Sequence, residues 1–283
     1  MSTTSGSRAA PIRLVAFDLD GVIWRGPQML PGAPEALADL LRRGLDLRYV
    51  SNNSTAHRDV VSERLRGLGL PAGSERVLTS AFVAGWWLRE RLPEGARVMV
   101  LGEDGLLREL REAGLDAYFV RDATVDSPPP AAVVAGMDRH FTYETLSSAQ
   151  AAVRAGALFV ATNRDATFPT PTGLVPGAGA VVAALATAAE KQPVVMGKPE
   201  PALAHALASL TGVPPEQTLF VGDRLETDIG MAQDTGMMSV LVLTGISSEA
   251  DVEAARSQPD APHPDYVLPD LTALPALLDS LGT

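Results

Sequence analysis

Apolar residues along this chain follow two patterns that alternate from one end to the other. Short apolar runs are typical of strands buried in a parallel sheet, and they predict strands over 13–16, 45–50, 77–79, 97–101, 131–135, 157–161, 218–221 and 239–243. Apolar residues at helical spacing predict helices over 34–43, 58–67, 81–91, 105–113, 143–155, 177–189, 201–210 and 229–234. This alternation predicts an α/β fold with a doubly wound, Rossmann-like parallel sheet as its core.

Polar side chains stand at the ends of several predicted elements. The set that follows strands or precedes helices comprises Asp18, Asp20, Ser51, Asn52, Asn53, Lys198, Asp223 and Asp228. In open α/β sheets, ligands bind at the carboxyl ends of the strands, so these residues are candidates for a shared site. Each also has a plain structural explanation, because Asp, Asn and Gly are common in turns, lysine is commonly solvated, and Asp228 could cap a helix.

The carboxylates suggest phosphate chemistry. Asp18 and Asp20 are two residues apart, so together they can bind a magnesium ion, and one can attack phosphorus while the other transfers protons. Asp223 offers a third carboxylate for the same ion. Lys198 is one of only two lysines among 23 basic residues, and just before a helix it could bring positive charge to a phosphate.

Composition limits the classes of partner. The 283 residues suggest two domains, and the absence of cysteine excludes disulfides and thiolate metal sites. Four scattered histidines, expected mostly at the surface, make a zinc site improbable. The net charge of −11 opposes binding to nucleic acid or anionic membranes. Residues 166–189 are uncharged but interrupted by proline, and 1–11 lack a signal-peptide pattern, so we expect no membrane span and a cytoplasmic location.

Five motifs in this order resemble the haloacid dehalogenase-like (HAD) superfamily, and within it the NagD-type class IIA phosphatases. They are D-L-D-G-V-I-W-R-G at 18–26, S-N-N-S-T at 51–55, T-N-R-D-A-T-F-P at 162–169, M-G-K-P at 196–199 and V-G-D-R-L-E-T-D-I at 221–229. The resemblance implies that Asp18 is the nucleophile and Asp20 the general acid/base. It places Ser51 at the family's hydroxyl position and Lys198 at its lysine. It implies Mg²⁺ binding by Asp18, Asp223 and the Asp20 backbone carbonyl, with Asp228 nearby.

The resemblance also implies an inserted α/β cap domain between the second and third motifs. We expect the cap at 80–187, between core segments 1–79 and 188–283. The core residues named above are used for phosphate and metal, so we expect substrate choice to reside in the cap, with Arg164 as a candidate substrate-binding residue. The cap could also mediate a homodimer.

We therefore expect a Mg²⁺-dependent phosphatase that hydrolyses a small phosphorylated metabolite through an aspartyl-phosphate intermediate. The resemblance implies a sugar phosphate, glycerol phosphate, phosphoglycolate or nucleotide type of substrate. A phosphomutase and a non-catalytic phospholigand-binding protein on the same fold are the alternatives.

Overall fold

The structure is a computed structural model that describes residues 11–124, 127–170 and 173–283. Its strands are β1 (Leu14–Asp18), β2 (Trp24–Arg25), β3 (Gln28–Met29), β4 (Asp46–Ser51), β5 (Val77–Thr79), β6 (Arg97–Leu101), β7 (Asp116–Phe119), β8 (Ala132–Ala135), β9 (Leu158–Ala161), β10 (Thr167–Thr170), β11 (Gly173–Pro176), β12 (Val194–Val195), β13 (Thr218–Gly222), β14 (Met238–Val242) and β15 (Tyr266–Leu268). Its α-helices are α1 (Ala33–Arg42), α2 (Arg58–Gly67), α3 (Ser80–Arg89), α4 (Asp104–Glu112), α5 (Tyr143–Arg154), α6 (Ala178–Ala189), α7 (Ala202–Thr211), α8 (Gly230–Thr235), α9 (Glu249–Arg256) and α10 (Leu274–Leu281).

The chain divides into two compact units. The terminal unit comprises the described residues up to Arg48 together with Ala208–Thr283, and the central unit comprises Tyr49–Leu207. In the terminal unit, β1, β13, β14 and β15 pair side by side, and every pair is parallel. Both β1 and β13 are buried along their whole length, as the apolar runs of the sequence predict.

The central unit contains a five-stranded sheet in the order β12-β9-β8-β6-β7, again with parallel pairs only. Alternate residues of β6, β8 and β9 share an apolar core with α5 and α6. The end of β4 pairs in parallel with β5, and β10 and β11 form an antiparallel hairpin. Parallel sheets covered by helices confirm the predicted α/β class. Among the described residues, no helix has both the length and the apolar character that a membrane span needs.

His57 is an exception to the expectation of surface histidines, because only 4% of it is exposed. Its Nδ1 accepts a hydrogen bond from the Asp59 backbone N–H and so caps α2, while its Nε2 lies 3.1 Å from Glu112 Oε2. Burial raises the pKa of the adjacent Glu109 carboxyl, against the opposing effect of Arg58. Ion pairs with nearby arginines neutralise these acids, so the group holds α2 against α4.

The start of α4 packs directly on the chain that follows β4. The Gly105 backbone N–H donates to Thr55 O at 3.2 Å, and a Cβ on Gly105 would lie 2.5 Å from Thr55 O and from Ala56 C. We expect Gly105→Ala to lower the free energy of unfolding by about 1–3 kcal/mol through overpacking. Gly67→Ala is the control, because nothing lies within 4 Å of that Cβ, so the free energy of unfolding should not fall. Urea unfolding measures both variants, and equal effects would contradict the close packing.

Candidate active site

Three carboxylates converge in the terminal unit. Asp18 is the last residue of β1, Asp223 follows β13, and Asp228 lies in the π-helical turn Leu225–Ile229 that leads into α8. One oxygen from each lies within 4.8 Å of the other two. All three residues are buried, with 8%, 1% and 1% of their surfaces exposed. We call Asp18, Asp223 and Asp228 the carboxylate cluster.

Pairing between neighbouring parallel strands brings the cluster together. Phe17 of β1 is level with Val221 of β13, so the two strands end at the same edge of the sheet. Asp18, which ends β1, and Asp223, which directly follows β13, therefore reach the same place. The chain then folds back through the π-helical turn, and Asp228 Oδ2 accepts hydrogen bonds from the backbone N–H groups of Asp223 (3.1 Å) and Arg224 (3.0 Å).

The loop after β14 supports Asp223 from the other side. Asp223 Oδ2 accepts a hydrogen bond from the Ile246 backbone N–H at 2.8 Å, and Ser247 N donates to Asp223 O at 3.0 Å. The Thr244 hydroxyl donates to Gly21 O at 2.6 Å and so joins this loop to the turn after Asp18. Sequence reasoning missed this loop because its contacts use backbone groups, although a glycine at 245 after a buried strand was an available signal.

The side chain of Asp20 is not part of the carboxylate cluster. It is exposed, and its Oδ1 accepts a hydrogen bond from Trp24 Nε1 at 2.9 Å across a tight turn. Gly21 adopts a φ of +89° in that turn, which L side chains rarely adopt, and a Cβ there would collide with Asp223 Oδ2. Trp24, buried except for 3% of its surface, thus fixes the orientation of the Asp20 carboxylate.

The donor set of the cluster fits a divalent cation. Carboxylates held this close repel one another, and burying charge is unfavourable unless a cation or hydrogen bonds compensate. Backbone N–H groups already hold Oδ2 of Asp223 and Oδ2 of Asp228. An all-oxygen site of this kind suits a hard ion such as Mg²⁺.

The second group of predicted residues lies in the central unit. Ser51 is the last residue of β4 rather than the first after it, because the strand extends one residue beyond its apolar run. The Ser51 hydroxyl accepts a hydrogen bond from Asn53 N at 3.2 Å. Asn53 Oδ1 accepts from the backbone N–H and the hydroxyl of Thr55, both at 2.8 Å. This segment is therefore a hydrogen-bonded turn with Ser51 buried at its start.

The Asn52 side chain links this turn to Lys198 and to Asp165. Its Oδ1 accepts from Lys198 N at 2.8 Å, and its Nδ2 donates to Lys198 O at 3.0 Å and to Asp165 Oδ2 at 3.2 Å. Lys198 is itself buried, with 4% of its surface exposed. The second motif and the lysine motif are thus adjacent within the central unit.

Arg164 lies on the turn after β9. Half of its side chain is exposed, and Nη1 is 4.0 Å from Glu200 Oε1. It borders a cavity of about 480 Å³ together with Trp86, Trp87 and Arg91. Trp86 and Trp87 are therefore half-buried walls of a surface cavity and not residues of a closed core.

The sequence matches known protein families and a known phosphatase. Residues 15–116 match a family model described as haloacid dehalogenase-like hydrolase, and residues 195–274 match a second, described as HAD-hydrolase-like. The chain is 39% identical over 298 aligned residues to the glycerol-3-phosphate phosphatase of Gallus gallus. The alignment covers 98% of this chain and 95% of that protein.

Two solved structures share the fold. The glycerol phosphate phosphatase of Mycobacterium tuberculosis in complex with magnesium aligns with a TM-score of 0.82 at 38% identity, over 93% of this chain and 77% of that one. NagD from E. coli K-12 aligns with a TM-score of 0.81 at 30% identity, over 93% of this chain and 98% of that one. Both likenesses extend over nearly the whole of this chain.

Proposed function

The chain belongs to the haloacid dehalogenase-like hydrolases of the NagD type, and we propose that its carboxylate cluster is the catalytic centre of a phosphatase. The enzyme hydrolyses small phosphomonoesters and uses Mg²⁺. The observation that carries the assignment of the centre is the convergence of three buried carboxylates, within 4.8 Å of one another, at the ends of two adjacent parallel strands. Structural carboxylates seldom gather in this way, because their mutual repulsion has to be offset.

We propose that Asp18, Asp223 and Asp228 hold the ion, with the backbone carbonyl of Asp20. When bound there, Mg²⁺ neutralises charge on the phosphoryl group. Ser51, Asn53 and Lys198 bind the phosphate oxygens through a hydroxyl, an amide and an ammonium group. Asn52 is a further candidate for the phosphate oxygens from the sequence, but its amide pairs with the backbone of Lys198.

The reaction proceeds in two displacements at phosphorus. The Asp18 carboxylate attacks phosphorus, and the bond from phosphorus to the substrate oxygen breaks, giving an aspartyl-phosphate. Asp20 protonates the departing alkoxide. Asp20 then removes a proton from a water molecule that attacks the same phosphorus, which releases inorganic phosphate and restores Asp18. The hydrogen bond from Trp24 orients Asp20 for both proton transfers.

The test of this function is phosphate release from p-nitrophenyl phosphate by the intact chain with and without Mg²⁺. We expect release that stops on chelation and is absent from Asp18→Asn. A panel of glycerol 3-phosphate, phosphoglycolate, a hexose phosphate, a nucleoside monophosphate and pyridoxal phosphate, compared by kcat/KM, then ranks the substrates. Glycerol 3-phosphate leads the panel because two of the relatives named above carry glycerol phosphate in their names. Inactivity on every ester with Mg²⁺ present would contradict the proposal.

We further propose that residues 80–187 form an inserted cap, and that 1–79 and 188–283 form the core. The described residues of the cap lie within the central unit and supply β6, β7, β8 and β9 of its five-stranded sheet. A homodimer through the cap and a cytoplasmic location complete the proposal. Within 80–187, the exposed apolar side chains of Tyr143 and Leu174 are candidates for the dimer contact.

Arg164 is the proposed specificity residue of the cap, because a guanidinium can pair with a second anionic group on the substrate. We expect Arg164→Ala to lower kcat/KM by roughly 10-fold for phosphoglycolate and to leave glycerol 3-phosphate nearly unchanged. Arg154→Ala is the matched control, because Arg154 is equally exposed (49%) and lies 3.4 Å from Glu190. A uniform effect of Arg164→Ala on all substrates, or none, would remove Arg164 from the site.

A further inference from the structure

We propose that Asn52 is a positioning residue for Lys198, through which it sets the rate of phosphoryl transfer. This inference rests on the proposed function, in which Lys198 binds the transferred phosphate. Asn52 directly follows the buried Ser51, and Lys198 lies three residues beyond β12. The two residues are 146 positions apart in the chain, so only tertiary contacts can set the register between their segments.

The amide of Asn52 pairs with both backbone groups of Lys198. Oδ1 accepts from Lys198 N at 2.8 Å, and Nδ2 donates to Lys198 O at 3.0 Å. The flanking groups fix the orientation of the amide, because an N–H faces one end and a carbonyl the other. A carboxylate of the same shape cannot donate to Lys198 O, and an apolar side chain can make neither bond.

Asn52 is in turn held from three directions. Its Nδ2 donates to both oxygens of Asp165, at 3.2 and 3.3 Å. Its backbone oxygen accepts from Asn163 Nδ2 at 2.7 Å and from the Ser80 hydroxyl at 2.6 Å. Because Asn52 is hydrogen-bonded at both its backbone and its side chain, it has little freedom to move and holds the Lys198 backbone in a defined position.

Packing around Gly197 shows how closely the two segments approach. A Cβ on Gly197 would lie 2.5 Å from Asn52 Oδ1, 2.6 Å from Thr162 O and 2.9 Å from Asn163 Cβ. The residue before Lys198 therefore has no room for a side chain. The position of the Lys198 backbone is therefore set by the packing around Gly197 and by the two hydrogen bonds to the Asn52 amide.

A double-mutant cycle tests whether Asn52 acts through Lys198. We expect Asn52→Ala to lower kcat by about 10- to 100-fold, with a smaller change in KM, because an error of about 1 Å in a group that contacts the phosphate has effects of this size. In a Lys198→Ala background the same change should alter kcat by less than about threefold, since there is no ammonium left to misplace. Equal losses in the two backgrounds, or no loss from Asn52→Ala alone, would overturn the proposal.

Two further variants separate positioning from stability. Thr142→Ala also deletes a side chain that accepts a backbone hydrogen bond in the central unit, at 3.2 Å from Thr145 N. It should lower Tm and leave kcat unchanged. Should Asn52→Ala fail to fold, Asn52→Ser replaces it in the cycle, because it stays polar and uncharged beside Asp165 but is too short to pair with both Lys198 N and Lys198 O. We expect the same lack of additivity with Lys198→Ala.

Asp18→Asn, assayed in parallel, distinguishes a failure of the proposed catalytic centre from a failure of the positioning role of Asn52. An active Asp18→Asn would contradict the proposed centre itself. An inactive Asp18→Asn together with additive losses in the Asn52 and Lys198 cycle would leave the phosphatase mechanism intact and overturn only the positioning role.

Discussion

Replacing Asp18 by asparagine should abolish turnover while the fold persists. The amide is nearly isosteric with the carboxylate but cannot attack phosphorus, so no aspartyl-phosphate forms. We expect a loss of at least about 10⁴-fold in kcat, the scale found when a nucleophile is removed. The thermal midpoint without Mg²⁺ should stay the same or rise, because one of three mutually repelling buried charges is removed. Steady-state assay and thermal unfolding of the same preparation measure both quantities.

The matched control for this prediction is Asp39→Asn. Asp39 is also a buried carboxylate of the terminal unit, but it pairs with Arg42 of α1 at 2.9 Å and with Arg43, which follows α1, at 2.6 Å. Its replacement should lower Tm and leave kcat unaffected, because it breaks a buried charge pair at a residue outside the cluster. The two variants thus separate turnover from stability. Substantial turnover by Asp18→Asn, with mass spectrometry excluding deamidation back to Asp, would show that another group is the nucleophile.

Strands with clear apolar runs could be predicted from the sequence, including the short β5, whereas several other edge strands could not. Strands β1 and β13 are both buried along their whole length, so their apolar runs are unbroken. The sequence does not predict the edge strands β7 and β15, because they are short and partly exposed and need no continuous apolar run. The hairpin of β10 and β11 was also missed, since Pro169 and Pro176 argue against a strand.

The sequence predicts those parts of the site that consist of side chains at the ends of strands. Convergence of Asp18 and Asp223 follows from the parallel order of their strands, a rule that applies to sequence as well as to structure. The support of Asp223 by Ile246 N and the pairing of Asn52 with the Lys198 backbone could not be predicted. Backbone groups carry no residue-specific signal, and the register between distant segments is decided by packing.

Removal and restoration of Mg²⁺ should produce the second large effect, on stability as well as on rate. The cluster buries three carboxylates whose repulsion a divalent cation relieves, so the ion binds the folded chain in preference to the unfolded one. At about 100 times its dissociation constant, a ligand of this kind stabilises the fold by about 2.7 kcal/mol. We expect Mg²⁺ to raise the Tm of the chelated protein by about 5 °C and to restore a kcat that chelation abolishes.

The cluster, and not the general acidity of the chain, should be responsible for that shift. Asp223→Asn should abolish both the Tm response to Mg²⁺ and turnover, because Asp223 is a proposed ligand inside the cluster. Glu226→Gln is the control, since Glu226 lies in the same π-helical turn but is exposed to solvent and outside the cluster. It should leave the Mg²⁺ response and the rate unchanged. A Tm response that survives Asp223→Asn, or that is lost equally in Glu226→Gln, would mean that the ion binds elsewhere on this acidic chain and that the cluster has another role.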